Sequence, residues 1–467
     1  MADHLSEKGS SAAPSPHLAS TGSSAEAHHF APLAPLHPAG EPRVEQARPI
    51  EQADRGSLER RKAATNKTVV SGVALVVLFW VSALWLFGLF YHNAENAHRL
   101  RILVVDFDGG SVGAALLSAV SRVNGQKTWP TFVVDRSSGT TPALVQQRVL
   151  EGSYWGAIWS SEGATARFEA AIAGDSAAAT YNASDAIYYT GNEVRYNTAW
   201  SAFVLAPITR VLQSASYIFG QQTVAPLLAK GSSYGSQCAA VLADPLAATF
   251  INLVPFEFGS RIIYNTIGFV FPTLFQFFFL LGLNGIWGAT GAYRNMSLAQ
   301  HYMIRLPLSV VWTFVTALCL VGWDLMFKES FDIAPKNFFA LWAVVWLNNW
   351  ITFLVFDNLL TFIPPAAYSF PTMLWIILSV SSVIYPLELG NVFYRVHYAV
   401  PAHATWAIMI TVLSHGGCNT LRYNLPILFA WLVAMQGVWF LALRKRARDG
   451  RQGASPSALS PSTGKRD

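Results

Sequence analysis

Charged residues are scarce in this sequence. Asp, Glu, Lys and Arg make up 13% of its 467 residues, whereas 52% are apolar and the mean hydropathy is +0.33. Soluble domains carry about 25% charged residues, so this composition is typical of a membrane protein. The formal net charge of +5 needs no nucleic-acid partner, because basic residues at cytoplasmic span ends face anionic lipid. We therefore expect the lipid bilayer as a partner and no nucleic acid.

Nucleotide-binding and metal-binding motifs are also missing. No Gly-x-x-x-x-Gly-Lys-[Ser/Thr] sequence occurs, so any ATP drive must come from a separate ATPase partner. His397, His403 and His415 lack the spacing of metal ligands and are predicted to be interfacial side chains. We expect no cofactor, no metal and no enzymatic activity.

Cysteine is rare, with three residues in the chain. The predicted topology places Cys238 and Cys418 outside the cytoplasm and Cys319 within a membrane span. A Cys238–Cys418 disulfide is therefore possible in an oxidising compartment, although the sequence does not show that the two residues approach each other.

Long apolar runs, in contrast, are abundant. Six are long enough to cross about 30 Å of hydrocarbon, and they cover residues 69–91, 262–292, 304–327, 338–360, 366–386 and 425–443. The first run has no cleavage site after it and is predicted to remain as an anchor. With six spans, the basic residues near span ends, Arg305 and Arg446 among them, collect on one side. Both termini are therefore predicted to be cytoplasmic.

The predicted fold is an α-helical integral membrane protein with six transmembrane helices and an extracytoplasmic α/β domain between the first two. That domain covers residues 92–261, where four short predicted strands, ILVVDF, FVVD, WGAIWS and AIYYTGN, alternate with amphipathic helices. Low hydrophobicity predicts a disordered cytoplasmic tail over residues 1–65. Residues 444–467 form a basic cytoplasmic tail, and residues 387–424 contain an apolar stretch too short to cross, predicted to be re-entrant or interfacial.

Two short motifs suggest catalysis but lack their structural partners. Asp106 and Asp108 follow an apolar strand, as in a phosphatase with an aspartyl nucleophile, but the further Lys and acidic pair of such an enzyme are absent. We expect both carboxylates to close a glycine turn, with Ser111 capping the next helix. GSSYG resembles a nucleophile elbow around Ser233, but it follows a helix rather than a strand.

Polar and small residues within the spans give the remaining candidates. Gln276, Asn284, Asn348 and Asn349 are predicted to face the bundle, either lining a substrate path or hydrogen-bonding between helices. Gly282, Gly285, Gly288 and Gly291 form a stripe predicted to pack closely against another helix. Asp324, Asp357 and Glu388 lie near span ends, where we expect them to reach water. Asn182 is the predicted glycosylation site.

The sequence resembles the fungal nitrosoguanidine-resistance membrane proteins, which are grouped under a domain of unknown function. It is also distantly similar to bacterial phage-infection proteins and to membrane subunits of type-two ABC exporters. Residues 102–116, 149–159 and 253–279, together with FYRVHYAVPAHATW and NLPILFAWLV near the end, carry the resemblance, which spans about residues 65–446. It implies one anchor helix, an extracytoplasmic α/β domain and five further helices. It supplies no catalytic or binding residues.

The expected function is an export-type permease or a drug and mutagen resistance factor of the plasma membrane, without its own ATPase. Its substrate would be a small hydrophobic molecule, and it could act as a homodimer or with a separate ATPase. The alternative is a membrane organiser that transports nothing and instead affects lipid distribution or scaffolds other proteins. Polar groups facing a cavity within the spans would favour transport.

Overall fold

The computed structural model describes residues 50–230, 234–255, 264–328 and 333–452. The chain divides into two compact units, Met1–Val69 and Val70–Asp467, and the boundary lies within the first helix, α1 (Ile50–Phe90). This helix includes residues 50–65 of the predicted disordered tail, whereas residues 1–49 lie outside the described part. All contacts given below are within the second unit.

A five-stranded sheet forms the centre of what we call the sheet domain, residues 93–255. Its spatial order is β2-β1-β3-β4-β5, in which β4 runs antiparallel to β3 and the other neighbouring pairs are parallel. The strands are β1 (Arg101–Asp106), β2 (Thr131–Asp135), β3 (Gly156–Ser160), β4 (Ile187–Asn192) and β5 (Ala248–Val254). The sequence predicts the first four, and β5 is an addition.

Helices cover both faces of the sheet because apolar side chains of β1 alternate between the faces. Ile102 and Val104 belong to one core, whereas Leu103 and Val105 belong to a second core with Val145. The helices of this domain are α2 (Ser111–Val123), α3 (Pro142–Leu150), α4 (Ala164–Ala173), α5 (Asp175–Ala178), α6 (Asn197–Trp200), α7 (Ala206–Phe219), α8 (Ala225–Ala229) and α9 (Ser236–Ala243).

The helix running from Asn197 to Ala229 is long and apolar enough to cross a membrane. Two π-helical turns, Ser201–Leu205 and Gly220–Val224, join α6, α7 and α8 within it. Yet α7 packs against α2, and its residues Ile208, Val211 and Ala215 are buried in the core of the sheet domain. Packing on the sheet domain thus accounts for its apolar face.

The remaining helices form what we call the helix bundle. They are α10 (Ile267–Ala289), α11 (Ala292–Asn295), α12 (Leu298–Met326), α13 (Pro335–Phe362), α14 (Ser369–Val383), α15 (Pro401–Leu413) and α16 (Leu421–Gln452). Helix α13 packs against four others, namely α10, α12, α15 and α16, and is therefore the central element. The chain is mostly helical. By length and composition, six described helices could span a membrane, namely α1, the helix Asn197–Ala229, α10, α12, α13 and α16.

One predicted span, residues 366–386, is shorter in the structure than expected, and the predicted re-entrant or interfacial segment after it is bent. Residues 366–386 contain α14, which has 15 residues and is too short to cross about 30 Å as a straight helix. Residues 387–424 contain a 3₁₀ helix, Val392–Ala399, followed by α15 at a bend of 78°. This bent pair has the geometry of a broken span or of a re-entrant segment.

Helix α1 is attached to the bundle through Trp85. Its indole N–H lies 3.1 Å from Nε2 of His397 and 3.2 Å from Oγ of Ser381. His397 is fully buried and His403 is 9% exposed, so neither side chain lies at the protein surface, and their position at a membrane interface stays a prediction. Both instead hold elements together, because Nδ1 of His403 also lies 2.9 Å from the carbonyl oxygen of Ser382.

Candidate functional site

The Asp-x-Asp motif closes a turn. Asp106 Oδ1 accepts hydrogen bonds from the backbone N–H groups of Asp108 and Gly109 and from the hydroxyl of Ser160. Gly109 adopts φ +64°, a left-handed conformation that glycine adopts without strain. The carboxylate is therefore occupied by local donors.

Asp108 joins this turn to two helix starts. Its carboxylate accepts from the N–H groups of Gly110 and Gly113 at the start of α2 and from the N–H and hydroxyl of Thr165 in α4. Asp108 therefore supplies the α2 cap expected of Ser111, whose hydroxyl lies near Thr165 instead. Within the described residues no three His, Cys, Asp or Glu side chains form a metal-ligand group. The second catalytic candidate, Ser233, lies outside the described residues.

Three of the four predicted path residues are engaged by neighbouring side chains. Gln276 and Asn349 are fully buried and both donate to the hydroxyl of Thr316, at 3.3 and 3.5 Å. Asn284 accepts from the hydroxyl of Tyr293 at 2.7 Å. These contacts correspond to the interhelical hydrogen bonding that the sequence offers as the alternative to a path.

Asn348, the fourth predicted path residue, borders an enclosed space with Asp324, Tyr264 and Thr405. The volume of this space is about 10 Å³, which leaves room for little more than a single water molecule. The structure therefore does not bring the four residues together around one cavity.

The glycine stripe has no packing partner among the described residues. A Cβ added at Gly282, Gly285 or Gly288 would meet no atom within 4 Å, so the predicted close helix contact is not seen. Gly291 adopts φ +70° after the end of α10, where it takes part in the turn to α11. The stripe thus faces open space.

A buried charge cluster joins α12, α13 and α16. The carboxylate of Asp357 lies 2.7 Å from Nη2 of Arg305 and 2.8 Å from Nη2 of Arg446, and it accepts from the indole N–H of Trp439 at 2.6 Å. Arg305 and Asp357 are fully buried, and the Arg446 side chain is 10% exposed. We call Arg305, Asp357 and Arg446 the charge cluster.

This cluster corrects two predictions. Asp357 does not reach water at a span end, and Arg305 does not lie at a lipid surface, because each neutralises the other inside the protein. Arg305 also donates to Tyr293 and Asn284, both at 3.0 Å. Burial of an unpaired charge would cost several kcal/mol, which explains why the two groups lie together.

A polar cavity of about 360 Å³ lies where the sheet domain meets the bundle. Glu151 after α3 and the β4–α6 loop form one wall, which includes Arg195 and Tyr196. The opposite wall comes from the segments around α14, α15 and α16, with Glu388, Tyr398, His403, Ala407, Ile410, Cys418, Asn419, Thr420, Tyr423 and Asn424. We call this space the polar cavity.

Arg195 is held firmly at one side of the polar cavity. Its Nη2 lies 3.3 Å from Oε1 of Glu388, and its guanidinium carbon lies 3.8 Å from the centre of the Trp155 ring. The carboxylate and the ring fix the guanidinium from two directions. Burial raises the pKa of Tyr196, so this phenol stays neutral.

Cys418 lies in the wall of the polar cavity, whereas Cys238 lies elsewhere in the sheet domain. Backbone N–H of Cys418 donates to Leu150 at 2.7 Å, and the thiol of Cys238 donates to Ala171 at 3.4 Å. Both cysteines are free and buried, and burial raises the pKa of Cys418. The structure does not pair the two residues.

An apolar cleft of about 430 Å³ lies between α13, α15 and α16. Its lining is aliphatic and aromatic, with Ala340, Ala343, Val344, Trp346, Leu347, Trp350, Ile408, Val412, Leu421, Leu425, Phe429 and Leu432. The indole N–H of Trp350 is occupied by Ser309 at 3.2 Å. The cleft therefore offers an apolar surface to a ligand.

One helix pair separates the two spaces. In α15, Ala407 lines the polar cavity and Ile408 the apolar cleft; at the start of α16, Asn424 and Leu425 divide in the same way. Successive helical residues point about 100° apart, which assigns the two spaces to different faces of each helix. We regard the two spaces together as the candidate functional site.

A model of one protein family matches residues 71–437, which is most of the chain; the family is described as "Protein of unknown function (DUF3533)". The chain belongs to the DUF3533 family. No solved structure matches the chain. The resemblance to a family of unknown function is thus confirmed, whereas the links to nitrosoguanidine resistance, phage infection and ABC exporters stay predictions.

In this DUF3533 protein, sequence reasoning missed both spaces of the candidate site. Neighbouring residues of α15 and α16 line different spaces, one polar and one apolar. The periodicity of apolar residues in the sequence does not show which other helices and loops complete each space. The signal for the charge cluster was available, because an Asp inside an apolar span usually has a buried partner.

The predicted glycosylation site, Asn182, is exposed, and its side chain accepts a hydrogen bond from the N–H of Ser184. Its glycosylation stays a prediction.

Proposed function

We propose that this DUF3533 protein is an export-type permease for small amphiphilic molecules. The observation that carries the proposal is the pairing of a polar cavity and an apolar cleft on two faces of the α15–α16 pair. Both volumes fall within the range of about 300–1,000 Å³ typical of small-molecule sites. A polar group and an apolar tail would each find a matching surface there.

The membrane arrangement is part of the proposal. The sheet domain lies outside the cytoplasm and both termini inside, in the plasma membrane, as the distribution of basic residues favours. This arrangement needs one crossing between α13 and α16, which the segment containing α14 and the bent pair would supply. The apolar cleft then opens within the bilayer and the polar cavity near its outer surface. An ion gradient or a separate ATPase supplies the energy.

Flux through the purified protein in liposomes tests the proposal. The substrate is a fluorescent dodecyl amphiphile, and its efflux is measured with and without a proton or sodium gradient. Ala343→Trp places a large ring in the cleft, and we expect it to reduce flux about tenfold. Ala430→Trp is the matched control, because Ala430 is exposed on α16 and does not line the cleft.

The alternative, a membrane organiser that transports nothing, is favoured by a different observation. Gln276, Asn284 and Asn349 have side-chain partners in the bundle and line none of the cavities described above. Amphiphile binding with no flux under any gradient would support this function and contradict the permease. Gradient-driven flux that Ala343→Trp blocks would contradict the organiser.

A further inference from the structure

We infer that the polar cavity selects organic cations, specifically amphiphiles with an alkylammonium head. The inference rests on the proposed function in one respect, namely that the cavity is where the polar end of the substrate binds. It adds the chemical class of that polar end, which neither the family nor the sequence motifs assign.

Charge is the first argument. Two carboxylates, Glu151 and Glu388, line the polar cavity, against one guanidinium, that of Arg195. Arg195 contacts Glu388 through Nη2 at 3.3 Å, and its Nη1 is buried with no hydrogen-bond partner among the described residues. The lining therefore has an excess of negative charge, which attracts a cation and repels an anion.

The two carboxylates remain accessible to a ligand. The Glu388 side chain is 37% exposed, and its contact with Arg195 uses only one of its two oxygens. Glu151 is exposed and receives one hydrogen bond from Gln147, to Oε1 at 2.7 Å. Each carboxylate can accept further contacts from a positively charged group.

Aromatic rings are the second argument. Tyr196, Tyr398 and Tyr423 all line the polar cavity, and the last two are 43% and 68% exposed. The electron-rich face of a tyrosine ring attracts a cation, and rings combined with carboxylates recognise quaternary ammonium groups, whose methyl groups donate no strong hydrogen bonds. The rings and carboxylates of the lining therefore suit an alkylammonium head.

Nearby basic residues do not reverse this balance. Arg395 and Arg422 are exposed and neither lines the cavity, although the guanidinium carbon of Arg422 lies 5.9 Å from the centre of the Tyr423 ring. Nδ1 of His403 lies within hydrogen-bond distance of the Ser382 carbonyl, which assigns its proton to that nitrogen. In the neutral imidazole the other nitrogen is then an acceptor and carries no positive charge.

Equilibrium binding to the purified full-length protein in a neutral detergent tests the inference. Three fluorescent probes share one dodecyl tail and differ in the head, which is trimethylammonium, sulfonate or hydroxyl. We expect the trimethylammonium probe to bind roughly tenfold more tightly than the sulfonate probe, with the advantage shrinking at high salt. Equal affinity, or tighter binding of the sulfonate probe, would overturn the inference.

Charge-neutral variants locate the selectivity. Glu151→Gln and Glu388→Gln are each expected to reduce the advantage of the ammonium probe about threefold or more, while the hydroxyl probe is unaffected. Glu169→Gln is the control, since Glu169 is exposed on α4 and does not line the cavity. If loss of the Arg195 partner prevents Glu388→Gln from folding, Glu151→Gln alone decides. An unchanged advantage in a folded Glu151→Gln protein would contradict the inference.

Two variants of Tyr423 test whether its ring contributes to the selectivity. Tyr423→Phe keeps the ring and should keep the selectivity, whereas Tyr423→Ala should lose part of it. These measurements contain no flux. Selective binding without transport would support the inference and contradict the permease function. Transport without head-group selectivity would support the permease function and contradict the inference.

Discussion

The sheet domain and the helix bundle hold their carboxylates in different ways. Asp106 and Asp108 receive neutral N–H and O–H donors, most of them from the same turn. Asp357 is held by two guanidinium groups from other helices. The first arrangement stabilises a local turn, whereas the second connects α12, α13 and α16. The comparison shows that the same side chain can serve local order or long-range assembly, depending on its donors.

Removing the bundle carboxylate should have the largest effect. Asp357→Ala leaves Arg305 and Arg446 without a carboxylate to balance their charge, which we expect to cost about 3–5 kcal/mol. The thermal midpoint of the purified protein in detergent measures the loss. Asp449→Ala is the control at the same end of α16, because its contact with Lys445 is exposed and should contribute less than about 1 kcal/mol.

A compensated variant sharpens this result. Replacing the whole cluster, with Asp357→Leu, Arg305→Met and Arg446→Met together, removes every charge and should recover most of the lost stability. A triple variant as unstable as Asp357→Ala would show that the helices depend on something other than charge pairing.

The turn of the sheet domain should respond less strongly to overpacking. A Cβ at Gly113 would overlap the Asp106 carboxylate, so Gly113→Ala is expected to destabilise by about 1–3 kcal/mol. Gly139→Ala, where a Cβ meets no atom within 4 Å, should change stability by less than about 0.5 kcal/mol. Equal melting temperatures for the two variants would refute the tight turn.

Loss of one charge in the turn should cost less again. Asp108→Asn keeps the size of the side chain but has one acceptor oxygen instead of two, and we expect a loss of about 1–2 kcal/mol. Amphiphile binding and flux should not change, because the turn does not line either space of the candidate site. Flux abolished in a stable Asp108→Asn protein would assign the turn a direct role.

The smallest effect concerns a half-buried ion pair at the end of β2. Hydrogen bonds from the side chain and backbone of Ser137, and from Arg148, hold the pKa of Asp135 below its usual range. The charged form thus favours folding at neutral pH, and this contribution is lost as pH falls below about 4 and through the lowered pKa. Asp135→Asn should therefore be less stable than wild type at pH 7, by less than about 1 kcal/mol in the free energy of unfolding. This difference, measured by thermal melting, should shrink in acid. A difference that stays constant between pH 3 and pH 7 would exclude this linkage.

Local features were predicted from the sequence, and long-range ones were not. The first four strands follow from apolar runs, and the turn at Asp108 follows from Asp and Gly neighbours. The strand β5 lies far along the chain from β4, its neighbour in the sheet, and its weakly alternating sequence gave no sign of that pairing. The charge cluster needs three helices to meet, so the separate positions of Arg305 and Asp357 suggested only span ends.

Hydropathy explains another difference. The helix from Asn197 to Ala229 and the helix α12 both pass as membrane spans by length and composition. One buries its apolar face on the sheet domain, whereas the other belongs to the bundle. A sequence window measures how apolar a helix is, and the partner that covers it emerges only from the fold.

The division of α15 and α16 between two spaces has a consequence for how ligands would influence one another. The polar cavity and the apolar cleft are lined by different faces of the same two helices, so occupation of either one acts on both helices. Suppose that a head group bound in the cavity changes the affinity of the cleft for a tail by some factor. By thermodynamic reciprocity, a tail bound in the cleft changes the affinity of the cavity for a head group by the same factor. A molecule carrying both parts would then report the linkage directly, as the excess of its affinity over that expected from its separate halves.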